Sequence, residues 1–242
     1  MGYLVVGDIH NEIHYMRKVV DYAVGKDLEV IFVGDLVDYG PAPAEVILLA
    51  NSLSNAQFVE GNHDNKIYRY TLGNNVEVMY TMDSTVQALQ DPDVADAWQQ
   101  LYEKMTSHIV IGDTHITHAG FSPEYWEGDI DSKKTKRTYL YGETDKTKPY
   151  IERFGQLYPH RSYNWTGAIP DGKTVIVGHD RSPFQEEPAF DSNINSIVVS
   201  TNNLGGKVVF TDTGAGKGGF VSGVELNDAG EVVQFISFED ET

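Results

Sequence analysis

The sequence predicts an α/β fold that contains a parallel β-sheet. In the first third of the 242-residue chain, short β-branched apolar runs alternate with segments whose apolar residues recur at helical spacing. This alternation is typical of a βαβαβ unit with right-handed crossovers. Five short polar motifs each follow an apolar run, so we expect their side chains at the carboxyl edge of the sheet, where open α/β folds place their ligand sites.

The elements of the first half are predicted from apolar spacing and from residues that begin or end helices. Pro41 and Pro43 favour the start of a helix, and Gly25 favours the end of one. The predicted elements are a strand over 3–6, a helix over 13–24, a strand over 29–33, a helix over 44–53, a strand at 58–59 and a helix over 84–105.

The second half is predicted to return to strands after an irregular segment. Residues 121–171 lack periodicity and are rich in Gly, Pro, Tyr and charged residues, which indicates a lid or a substrate-binding insertion. The run Asn227-Asp228-Ala229-Gly230 is typical of a hairpin turn. A chain of this length is expected to form one domain over 1–242. The predicted strands are 109–111 with 116, 174–177, 197–200, 207–212, 220–226 and 232–238.

Charge and composition narrow the functional class. A formal charge of −18 argues against broad, non-specific nucleic-acid binding, which depends on clustered Lys and Arg. The chain has no cysteine, so it can form neither a disulfide nor a thiolate metal site. Because no stretch resembles a secretory leader or a membrane span, we expect a cytoplasmic protein without a membrane partner.

The five motifs consist of residues that bind hard metal ions or move protons. Carboxylate, amide and imidazole ligands without thiolate are typical of manganese, iron or zinc in a mixed site. Singly, each motif is more often a turn or a helix cap, but five in order at strand ends indicate a functional site. They are Gly7-Asp8-Ile9-His10, Gly34-Asp35-Leu36-Val37-Asp38, Gly61-Asn62-His63-Asp64, His118-Ala119-Gly120 and Gly178-His179-Asp180.

The pattern predicts two-metal hydrolysis of a phosphate ester. Two ions about 3.5–4 Å apart neutralise phosphate charge and generate a nucleophile from water at neutral pH. Asp35 follows the middle strand and is predicted to bridge the ions, while Asp8 and His10 bind one of them. The predicted ligands of the other ion are Asn62, His118 and His179.

His63 is predicted to act as a general acid rather than as a metal ligand. It neighbours Asn62, and its imidazole can turn away from the metal toward the leaving oxygen. Asp38 is placed to hydrogen-bond the ring, fix its tautomer and keep its proton. We therefore predict an Asp38–His63 acid dyad.

Other motif matches fail on context. A metalloprotease helix needs Glu directly after its first histidine, but Asn11 follows His10. The glycine-rich stretch 214–219 has the spacing of a nucleotide-binding loop, yet no Ser or Thr follows Lys217 and the next element is a strand. The histidines predicted to be structural or surface residues are His14, His108, His115 and His160.

The set of motifs resembles the calcineurin-like metallophosphoesterases, in the phosphoprotein-phosphatase branch that also contains bacterial diadenosine tetraphosphatases. Residues 34–41 and 61–69, Leu140-Tyr141-Gly142-Glu143-Thr144 and Asp212-Thr213-Gly214 look most like the phosphatase domain of bacterial polynucleotide kinase-phosphatase. The resemblance implies a four-layer α/β/β/α sandwich with two mixed sheets. It also implies two divalent ions, manganese ahead of iron, zinc or nickel, and it adds Asp212 to the required residues.

The resemblance implies a phosphorylated small molecule or a nucleic-acid end as substrate, including 2′,3′-cyclic phosphate. One departure concerns substrate binding: the family's Asp-Arg-Gly-Pro reads Asp38-Tyr39-Gly40-Pro41, so the arginine that clamps phosphate is absent. A monoester dianion needs that charge more than a diester does, so the site is predicted to favour diesters and cyclic phosphates. Besides Tyr39, the candidate substrate-binding residues are Arg69, Arg161 and Arg181.

Three alternative functions stay open. A protein Ser/Thr phosphatase and a dinucleoside tetraphosphate hydrolase would use the same fold and the same metals. A scaffold that binds proteins without catalysis is the alternative outside enzymes. It is disfavoured because such a scaffold usually loses metal ligands, and every predicted ligand is present here.

Overall fold

Two mixed β-sheets lie face to face, with helices on their outer sides, in this computed structural model. The structure describes residues 1–128, 132–153, 156–184 and 196–239. The helices are α1 Ile13–Lys26, α2 Pro43–Ser52, α3 Asn62–Thr71, α4 Asp83–Ala88, α5 Pro92–Glu103 and α6 Lys133–Tyr141. The strands are β1 Gly2–Val6, β2 Leu28–Phe32, β3 Ala56–Val59, β4 Met105–Thr106, β5 Ile109–Ile111, β6 Thr114–Ile116, β7 Glu143–Thr144, β8 Ile151–Arg153, β9 Gln156–Tyr158, β10 Arg161–Ser162, β11 Thr174–Val177, β12 Val198–Thr201, β13 Lys207–Phe210, β14 Ser222–Leu226 and β15 Val232–Ser237.

The parallel strands predicted from the first third form the centre of the first sheet. Its order is β15-β14-β1-β2-β3-β4, in which β1 to β4 are parallel and the β14–β15 hairpin is antiparallel. The second sheet has the order β12-β13-β11-β6-β5, with β13, β11 and β6 parallel between antiparallel edge strands. Because β1 to β3 and β6, β11 and β13 are parallel strands, their carboxyl ends can supply loops to one edge of the sandwich.

The core has three layers of apolar contacts, which confirms the four-layer sandwich. Successive residues of β1 alternate: Val5 packs between the sheets with Ile176 and Val209, whereas Leu4 packs under the helices. On that outer side the sheet meets α1, α2 and α5 through the buried residues Met16, Val19, Val46, Ile47, Trp98 and Leu101. The outer face of the second sheet is covered by Phe121, Tyr139, Trp165 and Ile169.

Two helix boundaries differ from the prediction. Helix α1 runs past Gly25 to Lys26 and ends where Asp27 adopts a left-handed conformation with φ 55°. The predicted helix over 84–105 is two helices, because the Asp91 side chain accepts a hydrogen bond from Asp93 N and Pro92 occupies the first turn of α5. An N-cap residue followed by proline begins a new helix. In this segment that local signal determines the structure, although the apolar spacing continues across it.

The segment 121–171 is more regular than predicted. It contains α6, the β7–β10 ladder and the β8–β9 hairpin, and Tyr139 of α6 packs on the second sheet. Its role as a lid or a substrate-binding insertion stays a prediction, as does the single domain over 1–242. The Asn227–Gly230 hairpin turn is confirmed between β14 and β15. No helix in the described ranges is long and apolar enough to cross a bilayer.

Candidate metal centre

The first candidate metal-binding group is formed by Asp8, His10 and Asp35, all of them buried. His10 Nε2 lies 3.6 Å from Asp8 Oδ2 and 3.8 Å from Asp35 Oδ2. The other ring nitrogen, Nδ1, is 2.9 Å from the carbonyl oxygen of Val37, to which it donates. That hydrogen bond fixes the tautomer, so the Nε2 lone pair is directed at the two carboxylates.

The second candidate group contains Asp35, His118 and His179, with Asn62 beside them. His118 Nε2 lies 3.4 Å from Asp35 Oδ2, 3.0 Å from Asn62 Oδ1 and 3.1 Å from His179 Nδ1. His118 Nδ1 donates to the carbonyl oxygen of Val33 at 2.9 Å, which repeats the arrangement at His10. Asp35 belongs to both groups, which is the geometry predicted for a bridging carboxylate.

The residues of this centre fit divalent cations. Asp8 Oδ2 and Asp212 Oδ2 are buried and have no hydrogen-bond partner among the described residues. Burial, followed by the neighbouring Asp212 and Asp35 carboxylates, raises the pKa of Asp8 well above its usual range. Burial lowers the pKa of His118, but the Asp35 carboxylate, the Asp8 carboxylate and the hydrogen bond to Val33 together outweigh burial and raise it to about 9. The carboxylates thus create a field that attracts positive charge, and hard oxygen and imidazole donors suit divalent metals.

The loops of the centre hold uncommon backbone conformations. Non-glycine residues with positive φ are rare and strained, and they cluster at functional sites. Six of them lie in these loops: His10 at 47°, Asn11 at 59°, Asp35 at 51°, Asp38 at 72°, Tyr39 at 65° and His179 at 67°. The loops are therefore shaped to aim side chains rather than to minimise local strain.

Backbone donors orient the two carboxylates of the first group. His179 N donates to Asp8 Oδ1 at 3.0 Å, and His63 N donates to Asp35 Oδ1 at 2.9 Å. Gly178 allows the first contact, since a Cβ there would lie 2.2 Å from Asp8 Oδ1. Gly61 allows the second, since its Cβ would lie 2.3 Å from Asp35 Oδ1. The glycines of the motifs are thus needed for close approach.

Asp64 ties two loops together, a role that the sequence reasoning missed. Its carboxylate accepts from Leu36 N and from Gly61 N, both at 3.0 Å, and it is fully buried. Burial, helped by Asp35, raises its pKa to about 7. Gly61 is the N-cap of α3 and Asp64 its third residue, so the spacing of a capping box was the available signal.

The predicted acid dyad has hydrogen-bonding geometry. His63 Nδ1 is 2.7 Å from Asp38 Oδ2, and the Asp38 side chain is fully buried. The His63 side chain is 12% exposed, and its ring meets the His10 ring edge-on with centroids 5.1 Å apart. The imidazole therefore lies beside the first candidate group, with Nδ1 bound to Asp38 and the ring partly exposed to solvent.

The predicted substrate-binding residues lie at different distances from the centre. The Tyr39 ring packs against those of His10 and His63, and Arg161 contacts His179 Nε2 through one guanidinium nitrogen. Arg69 hydrogen-bonds the side chain of Tyr141, whose carbonyl oxygen accepts from Arg161. Arg181 is partly buried two residues beyond His179. The roles of these residues in substrate binding stay predictions.

Lys217 enters the centre, although it was considered only as part of a nucleotide-binding loop. Strand β14 follows that loop where a P-loop or a dinucleotide-binding loop would be followed by a helix, so the exclusion of these two motifs is confirmed. However, Lys217 Nζ lies 2.9 Å from His10 Nε2 and 3.9 Å from Asp212 Oδ2. Although burial opposes it, the Asp212 carboxylate raises the pKa of Lys217. A lysine three residues after the Asp212-Thr213-Gly214 motif was the signal in the sequence.

The chain belongs to the calcineurin-like phosphoesterase family, whose model matches residues 1–180. It is therefore a metallophosphoesterase, a hydrolase of phosphoric esters. It is 32% identical over 219 residues to the bis(5′-nucleosyl)-tetraphosphatase PrpE (asymmetrical) of Bacillus velezensis, covering 81% of this chain and 83% of that protein. The corresponding protein of Bacillus cereus ATCC 10987 is 30% identical, with 93% of this chain and 90% of the relative covered.

Solved structures confirm the fold class. A metallophosphoesterase from Sphaerobacter thermophilus superposes with a TM-score of 0.59 at 19% identity, covering 100% of this chain and 90% of that one. A protein serine/threonine phosphatase from Saccharomyces cerevisiae gives a TM-score of 0.58 at 15% identity, covering 100% and 81%. The narrower resemblance to the phosphatase domain of polynucleotide kinase-phosphatase stays a prediction.

Proposed function

We propose that this enzyme uses two divalent metal ions to hydrolyse dinucleoside tetraphosphates asymmetrically, releasing a nucleoside triphosphate and a nucleoside monophosphate. The observation that carries the proposal is the pair of candidate metal-binding groups that share Asp35. The similarity to bis(5′-nucleosyl)-tetraphosphatases supports the substrate, which is one of the alternatives that the sequence leaves open.

Each residue group would hold one ion. Asp8, His10 and Asp35 would hold the first, and Asp35 with Asn62, His118 and His179 would hold the second. Bound metals supply charge neutralisation for the phosphate and a water of lowered pKa as nucleophile. Oxygen and imidazole donors without sulfur suit manganese, iron or zinc, and the family resemblance favours manganese ahead of iron, zinc or nickel.

The remaining residues would act on protons and on substrate position. Asp38 accepts a hydrogen bond from His63 Nδ1–H, so Nε2–H can be directed at the leaving oxygen as a general acid. Asp212 has an unpartnered carboxylate oxygen among the described residues, beside Lys217 and Asp8. It would therefore help to hold positive charge at the first group. The Tyr39 ring would form part of the substrate surface, with Arg161 on the side of His179.

A substrate panel on the manganese-loaded protein tests the proposal. The panel contains a dinucleoside tetraphosphate, a 3′-phosphorylated oligonucleotide, a 2′,3′-cyclic nucleotide, an aryl monoester, an aryl diester and a phosphopeptide. We expect the highest kcat/KM for the dinucleoside tetraphosphate, with triphosphate and monophosphate products in equal amounts. A higher value for the oligonucleotide or the cyclic nucleotide would replace this substrate by the nucleic-acid ends implied by the family resemblance. A higher value for the phosphopeptide would indicate a protein phosphatase.

A further inference from the structure

Lys217 places a positive charge inside the candidate metal centre. Its side chain is 20% exposed, and its ammonium group donates to His10 Nε2 at 2.9 Å. The residue lies in a tight turn in which Lys217 N and Gly219 N both donate to the carbonyl oxygen of Gly214 at 2.9 Å. The turn thus fixes the backbone of Lys217 while its four-carbon side chain keeps freedom of movement.

The ring of Tyr39 supports this ammonium group. Lys217 Nζ lies 4.7 Å from the ring centroid, which is a cation–π distance. Tyr39 is 37% exposed, and its ring also packs against those of His10 and His63 with centroids 4.8 and 5.3 Å apart. The ring and the ammonium group are therefore both partly exposed to solvent beside the first candidate group.

Lys217 and a metal ion cannot use the same lone pair of His10. Since Nδ1–H donates to Val37, Nε2 offers a single lone pair, and the Lys217 ammonium group lies within hydrogen-bond distance of it. A cation bound at His10 must displace the ammonium group from Nε2. The displaced group stays close, because its backbone turn and the Tyr39 ring remain in place.

We propose that Lys217, held over Tyr39, binds a phosphate oxygen of the substrate in the metal-loaded enzyme and thereby favours highly charged phosphates. The inference rests on the proposed function for the identity of the substrate. Buried carboxylates surround the centre, at Asp8, Asp35, Asp38, Asp64 and Asp212. An ammonium group with three donors counters their repulsion of a phosphate oxygen, and position 39 itself carries no charge. Arg161 has the corresponding position beside His179 of the second group.

Binding of inorganic phosphate to the manganese-loaded protein tests this role. In Lys217→Met, which keeps the apolar stem and removes the charge, the Kd for phosphate should rise about 10- to 100-fold, as expected for a lost charged hydrogen bond. The Kd for Mn²⁺ in phosphate-free buffer should stay equal or fall, because the competitor for His10 Nε2 is gone. Lys217→Arg should retain most of the phosphate affinity, because it retains the charge. Lys207→Met, at an exposed residue that begins β13, is the matched control.

Unchanged phosphate affinity in Lys217→Met would overturn the proposal. Weaker Mn²⁺ binding would also overturn it, since that result assigns Lys217 to the assembly of the metal site. If Lys217→Met fails to fold, Lys217→Gln serves in the same titrations, because it remains polar and lacks the charge. The two proposals can fail separately. If the wild-type enzyme hydrolyses no dinucleoside tetraphosphate but Lys217→Met still weakens phosphate binding, the proposed substrate is wrong and the role of Lys217 stands.

Discussion

His63 and Asp38 form a 2.7 Å hydrogen bond between a helix and a loop, which joins a buried carboxylate to an imidazole that is partly open to solvent. Asp38 lies in the loop after β2 with a positive φ of 72°, and His63 lies in the first turn of α3. His63 N also donates to Asp35, the residue shared by both candidate metal groups. The dyad is thus attached to the metal centre through the backbone while its imidazole remains separate from it.

Replacing His63 by Ala should separate acid catalysis from metal binding. Activity on alkyl esters should fall about 10²- to 10⁴-fold, because their leaving oxygen needs a proton. Aryl esters leave more easily and should lose less. The measurement is kcat on matched alkyl and aryl phosphates, together with metal content, which should stay at the wild-type value. Equal losses on both esters would assign His63 another role, and the exposed His14→Ala serves as control.

Replacing Asp35 by Asn should abolish activity on every substrate and lower the metal content. Asn tolerates the positive φ of 51° at this position, so the loop conformation is kept while a bridging charge is lost. Metal analysis and thermal unfolding check the two parts of this expectation. Asp113→Asn is the matched control, because Asp113 is an exposed partner of Lys173. Full metal content and activity in Asp35→Asn would contradict the shared-ligand geometry.

Replacing Tyr39 by Arg should lower the ratio of diester to monoester kcat/KM. A guanidinium group adds charge that a monoester dianion uses more than a diester does. The change should be at most about the 1.5–3 kcal/mol of a charged hydrogen bond, because Lys217 already lies over this position. Tyr39→Phe is the control without added charge. An unchanged ratio would show that position 39 does not determine the preference.

Two glycine-to-alanine variants should have opposite effects. In Gly178→Ala the new Cβ would lie 2.2 Å from Asp8 Oδ1 and 2.7 Å from Val33 Cγ2, so the affinity for Mn²⁺ should fall. Gly25 has nothing within 4 Å of its Cβ position and lies inside α1, so Gly25→Ala should raise the free energy of unfolding by up to about 1 kcal/mol. Titration with Mn²⁺ and thermal unfolding of both variants check this pair. Normal Mn²⁺ affinity in Gly178→Ala would show that the loops can move apart.

The histidine pair His108–His115 should make stability depend on pH. The two rings are stacked, 3.1 Å apart between Nε2 and Nδ1, next to Phe121 and Tyr125. Burial lowers the pKa of each to about 4, from about 6.5 in an unfolded chain. Above pH 6.5 both states are neutral. Below it the unfolded chain binds the protons, so stability is lost as the pH falls from 6.5 to 4.

Replacing His115 by Phe should make that loss smaller, because the ring packing is kept and one proton no longer binds to the unfolded chain. Chemical denaturation at pH 7, 6 and 5 measures the free energy of unfolding in both proteins. The free energy of unfolding should fall more steeply with falling pH in the wild type than in the variant. The difference in slope should correspond to at most one bound proton. Parallel declines would mean that His115 keeps an ordinary pKa in the folded protein.

The sequence was sufficient to predict which residues gather at the candidate metal centre, because strand ends and motif order are local features. Apolar β-branched runs marked the strands, and parallel pairing then brought Asp8, Asp35 and Asn62 to one edge. The second sheet contributes His118 and His179 in the same way. The family model and the solved structures agree with the resemblance to metallophosphoesterases that these motifs indicate.

Features that depend on distant contacts could not be predicted in this way. Lys217 reaches His10 across 207 positions of the chain, and its place three residues after the Asp212-Thr213-Gly214 motif does not indicate which residue it contacts. Helix α6 has only three buried positions, Thr135, Thr138 and Tyr139, so its apolar spacing was too weak to distinguish it from a loop. Its contact with the second sheet is tertiary, and tertiary packing overrides weak local preference.

The two candidate metal groups differ in the sheets that supply their ligands. Asp8, His10 and Asp35 all follow strands of the first sheet, whereas the second group joins Asp35 and Asn62 to His118 and His179 of the second sheet. A cation in the second group would thus act as a cross-link between the two sheets, because its ligands come from both of them. Its loss would remove that cross-link, so at this edge the sheets would be held together by the apolar core that contains Val5, Ile176 and Val209, and by the hydrogen bond from His179 N to Asp8.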